Sequence, residues 1–196
     1  MSDKRSMRAD KKSSAADNIF DWLETIVFSV FLVIFIFTFI FRIANVKGQS
    51  MQDTLYQGDR LVISHLFYTP EQGDIVVIDS SALNETIIKR IIATSNQIVS
   101  VDYKTGTVKV DGKVIDEPYV KEKDFFEQNY FSGKYYNSES DTYEYTVPFG
   151  YVLVMGDNRN HSTDSRVIGC VSQDEIVGRA LFRFYSGNSG KLGRID

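Results

Sequence analysis

The sequence predicts a mainly β domain behind a single N-terminal helix that spans a membrane, and three observations support this. Residues 26–41 carry no charge and are apolar except for Ser29 and Thr38. Beyond Asn45, short apolar stretches alternate with turn residues, which is typical of strands. No stretch after Phe41 keeps a helical period, so the rest of the chain is expected to be built mainly from strands.

The apolar run is long enough to cross a membrane. Its 17 uncharged residues, 25–41, span about 25 Å as a helix, and Trp22 and Leu23 add a turn suited to the interface. A buried core helix would normally keep one polar face, whereas this run is apolar all round. A cleavable secretory signal usually has a shorter apolar region, of about 7 to 15 residues, and residues 42–45 lack an A-x-A arrangement. We therefore expect a retained transmembrane anchor over residues 19–42.

Charge on either side of the anchor predicts its orientation. Residues 1–18 carry five Lys or Arg and three Asp, whereas Arg42 and Lys47 are the basic residues just after the span. By the positive-inside tendency, residues 1–18 are expected in the cytoplasm and residues 43–196 outside the cell membrane, as one domain behind a single span. The apolar span makes the lipid bilayer a predicted partner. Residues 43–196 have a net charge of −5, which argues against nucleic acid as a partner.

The external domain is expected to combine strands with one polar excursion. Asp111-Gly112 suits the positive φ of a type I′ hairpin turn. Residues 117–146 are polar and tyrosine-rich with little alternation, which predicts a long insertion or flexible excursion. The stretches typical of strands are residues 60–66, 74–78, 86–92, 97–102, 107–115, 151–155 and 176–185.

The sequence has too few cysteines and histidines for a disulfide or for a metal site built from these residues. Cys170 is the only cysteine, which excludes an intramolecular disulfide and a cysteine-rich metal cage. His65 and His161 are the only histidines, which argues against a histidine-built metal centre. We therefore predict no metal and no cofactor.

Lys89 is the candidate general base. Strand alternation puts Lys89 on the same face as Ile87 and Ile91. If that face is buried, desolvation favours the neutral amine and lowers the pKa from its reference value of about 10.4, which allows lysine to act as a base. A lone lysine in a strand is more often solvated, so alternation alone leaves both interpretations open.

Ser50 is the candidate nucleophile. It lies eight residues past Arg42, a reach of at most about 28 Å when fully extended, so it is held near the membrane surface. With Asp53 it also fits the S-x-x-D pattern of a helix cap, which local sequence favours. The adjacent Met51 either packs in the core or belongs to an apolar surface that faces lipid.

A polar segment, residues 156–166, follows the predicted strand 151–155. It contains Ser162, Asp164 and Arg166 among several turn formers. Such a segment forms either a polar loop with Asx-turns or a loop that positions a catalytic group on its scaffold.

Together these pieces resemble bacterial type I signal peptidases, the membrane-bound serine proteases that remove signal peptides from exported preproteins. The last of four motifs is highly specific, and all four occur in the family's order behind one anchor. They are residues 50–55 (S-M-x-P-T-L in the family), 73–77 (G-D-I-V-V), 89–92 (K-R-V-I) and 156–166 (G-D-N-R-x-x-S-x-D-S-R).

The resemblance implies a mostly antiparallel β fold with an extended substrate groove, and it implies roles for single residues. Ser50 would be the nucleophile and Lys89 the general base. Ser162 would orient the lysine, and Asp164 with Arg166 would form a supporting ion pair. The implied substrates are preproteins bearing signal peptides, with small residues at positions −1 and −3, cleaved through an acyl-enzyme.

The sequence departs from the family pattern near the proposed nucleophile and after the proposed base. Asp53 stands where the family usually has proline, and residues 93–97 replace its usual G-L-P-G-D. Gly48, as in a subset of the family, stands where many relatives have a serine that helps hold the oxyanion. The oxyanion hole would then use backbone N–H groups, with that of Ser50 as a donor.

The sequence also leaves other interpretations open. His161 could form a Ser/His/Asp triad with Asp164, although the resemblance gives His161 no fixed identity. Cys170 has no neighbours that would activate a thiol. The alternative function is a signal-peptidase-like assembly factor or chaperone for surface fibre subunits, but such proteins usually lose the serine or the lysine. Self-cleaving repressors of the DNA-damage response share a Ser/Lys dyad but have no membrane span.

Overall fold

The computed structural model describes residues 15–121, 133–187 and 190–195. The chain divides into two units, residues 1–39 and 40–196, and each is described by itself. Most of the predicted cytoplasmic segment thus lies outside the described residues.

Helix α1 (Ala15–Phe39) has the length and composition of a membrane span. Its segment Asn18–Ile36 has a mean hydropathy of 2.2, and none of it is buried within the protein. The hydroxyls of Thr25, Ser29 and Thr38 donate to backbone carbonyls four residues earlier at 2.7–2.8 Å. These polar side chains are therefore satisfied inside the helix, as a hydrocarbon environment requires.

The helix ends earlier than the predicted anchor. We predicted an anchor to residue 42, whereas α1 ends at Phe39 and strand β1 (Phe41–Asn45) follows. Arg42 and its neighbours in β1 pair in antiparallel register with the strand Arg60–Ser64. Hydropathy does not reveal this boundary, because a strand that begins with Phe41 continues the apolar pattern of the helix.

The unit formed by residues 40–196 is mainly β, and all its described strand pairs are antiparallel, which confirms the predicted fold class. After β1 come β2 (Arg60–Ser64), β3 (Ile75–Ser80), β4 (Glu85–Ala93), β5 (Ile98–Asp102), β6 (Thr107–Val110), β7 (Lys113–Val114), β8 (Tyr136–Asn137), β9 (Thr142–Thr146), β10 (Tyr151–Met155), the short helix α2 (Ser165–Ile168), β11 (Val171–Ser172), β12 (Ile176–Tyr185) and β13 (Gly193–Arg194). The larger sheet has the order β1-β2-β12-β3-β4-β10-β11, with β13 beside β12, and the smaller has the order β7-β6-β5-β9-β8.

Local turn chemistry predicts one hairpin correctly. Asp111 and Gly112 have φ values of 50° and 78° and join β6 to β7. Both positions need the left-handed region, which Asp and Gly tolerate better than most residues.

The predicted excursion over residues 117–146 is narrower than the sequence suggested. Glu117 is buried at its start, and β8 and β9 at its end belong to the smaller sheet. Tyr143 and Tyr145 alternate along β9 and are buried in the core, so these tyrosines are core residues of a strand. Residues 122–132 lie outside the described part of the chain.

Two core clusters position the candidate site. One joins β3, β4 and β10 and includes Ile87 and Ile91, the residues on either side of Lys89 on its strand face. The other contains Met51 and Leu55 and holds the segment between β1 and β2. Met51 is only 2% exposed, so it packs in the core and does not face lipid.

Candidate active site

Ser50 lies in a turn between β1 and β2, and residues 50–55 are called the nucleophile turn after this candidate nucleophile. The turn is held by core and loop contacts. Met51 and Leu55 fix the turn in the core, and the Leu55 N–H donates to the Met51 carbonyl at 2.7 Å. The Ser50 carbonyl accepts from the Asn158 N–H at 3.0 Å. Residues 50–54 form turns and no helix, so Ser50 is not a helix cap.

Lys89 and Ser50 are 39 residues apart in sequence, yet Lys89 Nζ lies 2.9 Å from Ser50 Oγ. Lys89 is 4% exposed. Burial lowers the pKa of the Lys89 amine below its ordinary value, and the Asp164 carboxylate is the largest influence opposing that change. A neutral amine at this distance can accept the hydroxyl proton, so the pair has the geometry of a base and a nucleophile.

Ser162, Asp164 and Arg166 form one buried network. The Ser162 hydroxyl donates to Asp164 Oδ2 at 2.7 Å, and Arg166 donates through Nε and Nη2 to the two carboxylate oxygens, both at 2.8 Å. Burial opposes ionisation of Asp164, but the Arg166 charge and the hydrogen bonds outweigh it and hold the pKa of Asp164 below its ordinary value. The Ser162 proton thus goes to Asp164, which leaves the hydroxyl oxygen able to accept a further hydrogen bond.

Gly156 lets two parts of the site approach each other, and the sequence alone predicts no role for it. A Cβ at Gly156 would lie 2.3 Å from Ser162 Oγ and 2.5 Å from the Ser50 carbonyl oxygen. The Gly156 N–H also donates to Asp164 Oδ2 at 2.9 Å. A side chain at this position would therefore push Ser162 away from the nucleophile turn.

A second buried ion pair, also missed from sequence, joins β4 to the nucleophile turn. Arg90 donates through Nε and Nη2 to Asp157 at 2.9 and 2.8 Å, although the two residues are 67 positions apart. Asp157 Oδ2 also accepts from the Thr54 hydroxyl at 2.5 Å. The charges are visible in the sequence motifs, but their pairing depends on the fold.

Gly48 and Asp53, where the sequence departs from the family pattern, flank Ser50 in the chain. Gly48 has a φ of 75°, and a Cβ at this position would meet no heavy atom within 4 Å, so backbone conformation explains the glycine better than crowding does. The Asp53 carboxylate accepts from the Tyr56 hydroxyl at 2.9 Å and pairs with Lys121 at 2.5 Å. Asp53 therefore has partners of its own at the surface of the turn.

Neither His161 as an alternative base nor Cys170 as an alternative nucleophile suits the role. His161 is exposed, while the buried Asp164 carboxylate is bound by Arg166 and Ser162. Asp164 is therefore not placed as the orienting acid of a histidine triad. Burial raises the pKa of the Cys170 thiol to about 11, which makes its reactive thiolate scarce at neutral pH.

An open groove of about 830 Å³ includes both Ser50 and Lys89 in its lining. The groove runs along β1 and the first half of β4, and β1 is at the edge of the larger sheet. Its apolar lining comes from five strands and consists of Ile43, Ala44, Ile63, Val77, Ile87, Ile88 and Val177.

Comparison with known proteins identifies the family. Residues 19–185 match the family model described as signal peptidase, peptidase S26. The chain is 32% identical over 174 residues to signal peptidase IB of Staphylococcus aureus (strain COL), covering 85% of this chain and 90% of the relative. It is 32% identical over 186 residues to signal peptidase I of Bacillus licheniformis, covering 93% and 97%. A crystal structure of a signal peptidase I from Enterococcus faecalis V583 aligns with a TM-score of 0.42 and 28% identity, over 57% of this chain and 97% of that one.

The family model and the sequence relatives define a peptidase, and its N-terminal apolar helix is consistent with membrane anchoring. The chain belongs to the signal peptidase family, peptidase family S26. The enzyme class predicted from the sequence motifs is thereby confirmed.

Proposed function

We propose that this signal peptidase cleaves preproteins with Ser50 as the nucleophile and Lys89 as the general base. The observation that carries the proposal is the 2.9 Å distance between Lys89 Nζ and Ser50 Oγ, with the lysine only 4% exposed. Burial lowers the pKa of the amine, so a larger fraction of it is neutral and able to accept a proton.

The reaction follows from this geometry as acyl transfer. Lys89 takes the proton of the Ser50 hydroxyl while Ser50 Oγ attacks the carbonyl carbon of the scissile peptide bond. The protonated amine then gives the proton to the departing amino group, which leaves an ester on Ser50. Lys89 next removes a proton from water, and the hydroxide formed attacks the ester carbon. The protonated lysine then returns its proton to Ser50 Oγ as the bond to the acyl group breaks. The Ser50 N–H, two residues after the left-handed Gly48, is the candidate donor to the oxyanion.

The groove suits an extended peptide. β1 is an edge strand, and β10 pairs with β4 only from Arg90 onward, so both borders of the groove offer backbone groups for strand-like pairing. Ala44, Ile88 and the other apolar lining residues favour small apolar side chains near the scissile bond. This supports the preference for small residues at positions −1 and −3.

We also propose that α1 anchors the enzyme with its N-terminus in the cytoplasm and its β domain outside. The basic residues before the span support this orientation. Enzyme and signal peptide then share one bilayer, which raises their encounter frequency and presents the cleavage site close to Ser50.

Cleavage of a preprotein and of a peptide containing Ala-x-Ala by the full chain in detergent tests the function. We expect a single cut after the second alanine, located by mass spectrometry, and no cut by the Ser50→Ala variant, which lacks the attacking oxygen. If neither substrate is cleaved in a Ser50-dependent manner, the assembly-factor alternative replaces the enzyme.

The cleavage rate is expected to rise with pH because only the neutral form of Lys89 acts as a base. Burial places the pKa of Lys89 below the ordinary value of 10.5, so the rise should have its midpoint below that pH. A profile of kcat/KM against pH, with circular dichroism at each point to verify folding, checks this. A rate that falls as pH rises through neutrality would contradict the neutral-amine mechanism.

A further inference from the structure

Glu117 forms a buried ion pair with a residue of the polar segment 156–166, which we call the catalytic loop. Its carboxylate pairs with Arg159 through Oε1 and Nη2, and a second hydrogen bond joins Arg159 Nη1 to Glu117 Oε2 at 3.2 Å. The two side chains are 4% and 1% exposed. A buried guanidinium held at two points by one carboxylate has little freedom to move.

Arg159 in turn fixes the loop that carries the supporting residues. Its Nε donates to the Gly156 carbonyl at 3.1 Å, across the turn that leads to Ser162. The Arg159 carbonyl accepts from Arg166 Nη2 at 2.7 Å, the same nitrogen that binds Asp164. The side chain and the backbone of Arg159 therefore both contact groups that position the site.

We propose that Glu117 is a positioning residue for the cleavage reaction. Its carboxylate holds Arg159, and Arg159 holds the loop from Gly156 to Ser162 against the nucleophile turn. This inference rests on the proposed function, because it assumes that Ser50 and Lys89 perform the cleavage. Glu117 touches neither member of that pair, so it acts through Arg159.

The neighbouring residue Tyr119 gives the same segment a second attachment to the site. The Arg90 guanidinium lies 3.9 Å from the centre of the Tyr119 ring, close enough for a cation–π contact. Arg90 binds Asp157, which also accepts from Thr54 in the nucleophile turn. One short segment thus contacts both the catalytic loop and the pair that joins β4 to the nucleophile turn.

Glu117 lies outside the groove, so its loss is expected to affect the rate of the reaction more than the binding of substrate. Among the described residues, the groove lining includes neither Glu117 nor Arg159. Loss of the carboxylate should therefore change the alignment of the reacting groups more than the binding of the peptide. Misplacement of catalytic groups by about 1 Å can cost roughly 100-fold in rate.

Glu117→Gln in the full chain tests the inference, because the amide keeps the shape and loses the charge. We expect kcat per titrated active site to fall by about 10- to 100-fold, with KM for the Ala-x-Ala peptide within about twofold of the unsubstituted value. Arg159→Lys keeps a positive charge but loses the Nε donation to Gly156. It should likewise lower kcat and leave KM nearly unchanged. It also serves if Glu117→Gln fails to fold.

Glu144→Gln is the matched control. Glu144 accepts from Asn137 Nδ2 at 2.9 Å within the smaller sheet, so its loss should leave kcat and KM unchanged. The inference is overturned if Glu117→Gln and Arg159→Lys lower only the melting temperature and keep kcat per active site. The proposed function itself fails in a different way, if the unsubstituted protein shows no Ser50-dependent cleavage.

Discussion

Lys89→Ala is expected to abolish preprotein cleavage while the protein stays folded. The amine that it removes lies 2.9 Å from the Ser50 hydroxyl, and no proton transfer to alanine is possible. Loss of a general base that activates a hydroxyl typically costs about 10³-fold or more in rate. The measurement is kcat/KM for the Ala-x-Ala peptide, with circular dichroism to compare the fold.

Two further variants separate the base from its alternatives. Lys89→Arg keeps a positive charge, but a guanidinium does not lose its proton in this pH range, so this variant should be as inactive as Lys89→Ala. His161→Ala should keep activity within about twofold, since His161 is exposed and Asp164 is bound elsewhere. An active Lys89→Ala together with an inactive His161→Ala would replace the dyad with a histidine triad.

Asp164→Asn is expected to cause the largest loss of stability. Asp164 and Arg166 are 0% and 1% exposed, so the amide leaves a buried guanidinium without its carboxylate. Removing one partner of a buried ion pair typically costs about 3–5 kcal/mol, and Tm falls by roughly 2–4 °C per kcal/mol in a domain of this size. Thermal unfolding followed by circular dichroism measures the loss.

The pH dependence gives this prediction a second test. The pKa of Asp164 is held below its ordinary value of 3.8, so its contribution is present above that pH and is lost as pH falls through the folded-state value. The Tm difference between the variant and the unsubstituted protein should therefore be full at neutral pH and should shrink only in strong acid. A difference that shrinks between neutral pH and about pH 5 would contradict the assignment.

Asp141→Asn is the control for a lost ion pair at the surface. Asp141 and its partner Lys104 are 45% and 59% exposed, so solvent screens the interaction. We expect little change in Tm for this variant. Equal destabilisation by Asp141→Asn and Asp164→Asn would show that burial does not set the strength of the ion pair between Asp164 and Arg166.

The sequence predicts best those features that depend on local pattern. The apolar run predicts α1, and the motifs in order predict the family, because both can be recognised without knowing any contact. Alternation places Lys89 between Ile87 and Ile91, and that face is indeed buried. The end of α1 is predicted less well, because apolar residues suit both a helix and the strand that follows it.

Sequence pattern gives a wrong prediction for side chains that have both a polar and an apolar part. Tyr143 and Tyr145 fall within the predicted polar excursion, although their rings fill the core of the smaller sheet. Tyrosine buries an apolar ring and carries a polar hydroxyl, so composition alone does not distinguish a surface tyrosine from a core tyrosine. The role of Ser50 is ambiguous from sequence as well, because a serine with an aspartate three residues later is found both at helix caps and in other turns.

The order of amino acids is enough to predict an apolar helix, a mainly β domain and the motifs of a signal peptidase. The folded chain is needed to show that Lys89 Nζ meets Ser50 Oγ, that Gly156 makes room for Ser162, and that Glu117 reaches the catalytic loop through Arg159. These contacts join residues far apart in the chain, and the register of the strands sets which of them meet. The pKa of the lysine depends on the same fold, because the folded domain buries the amine away from water.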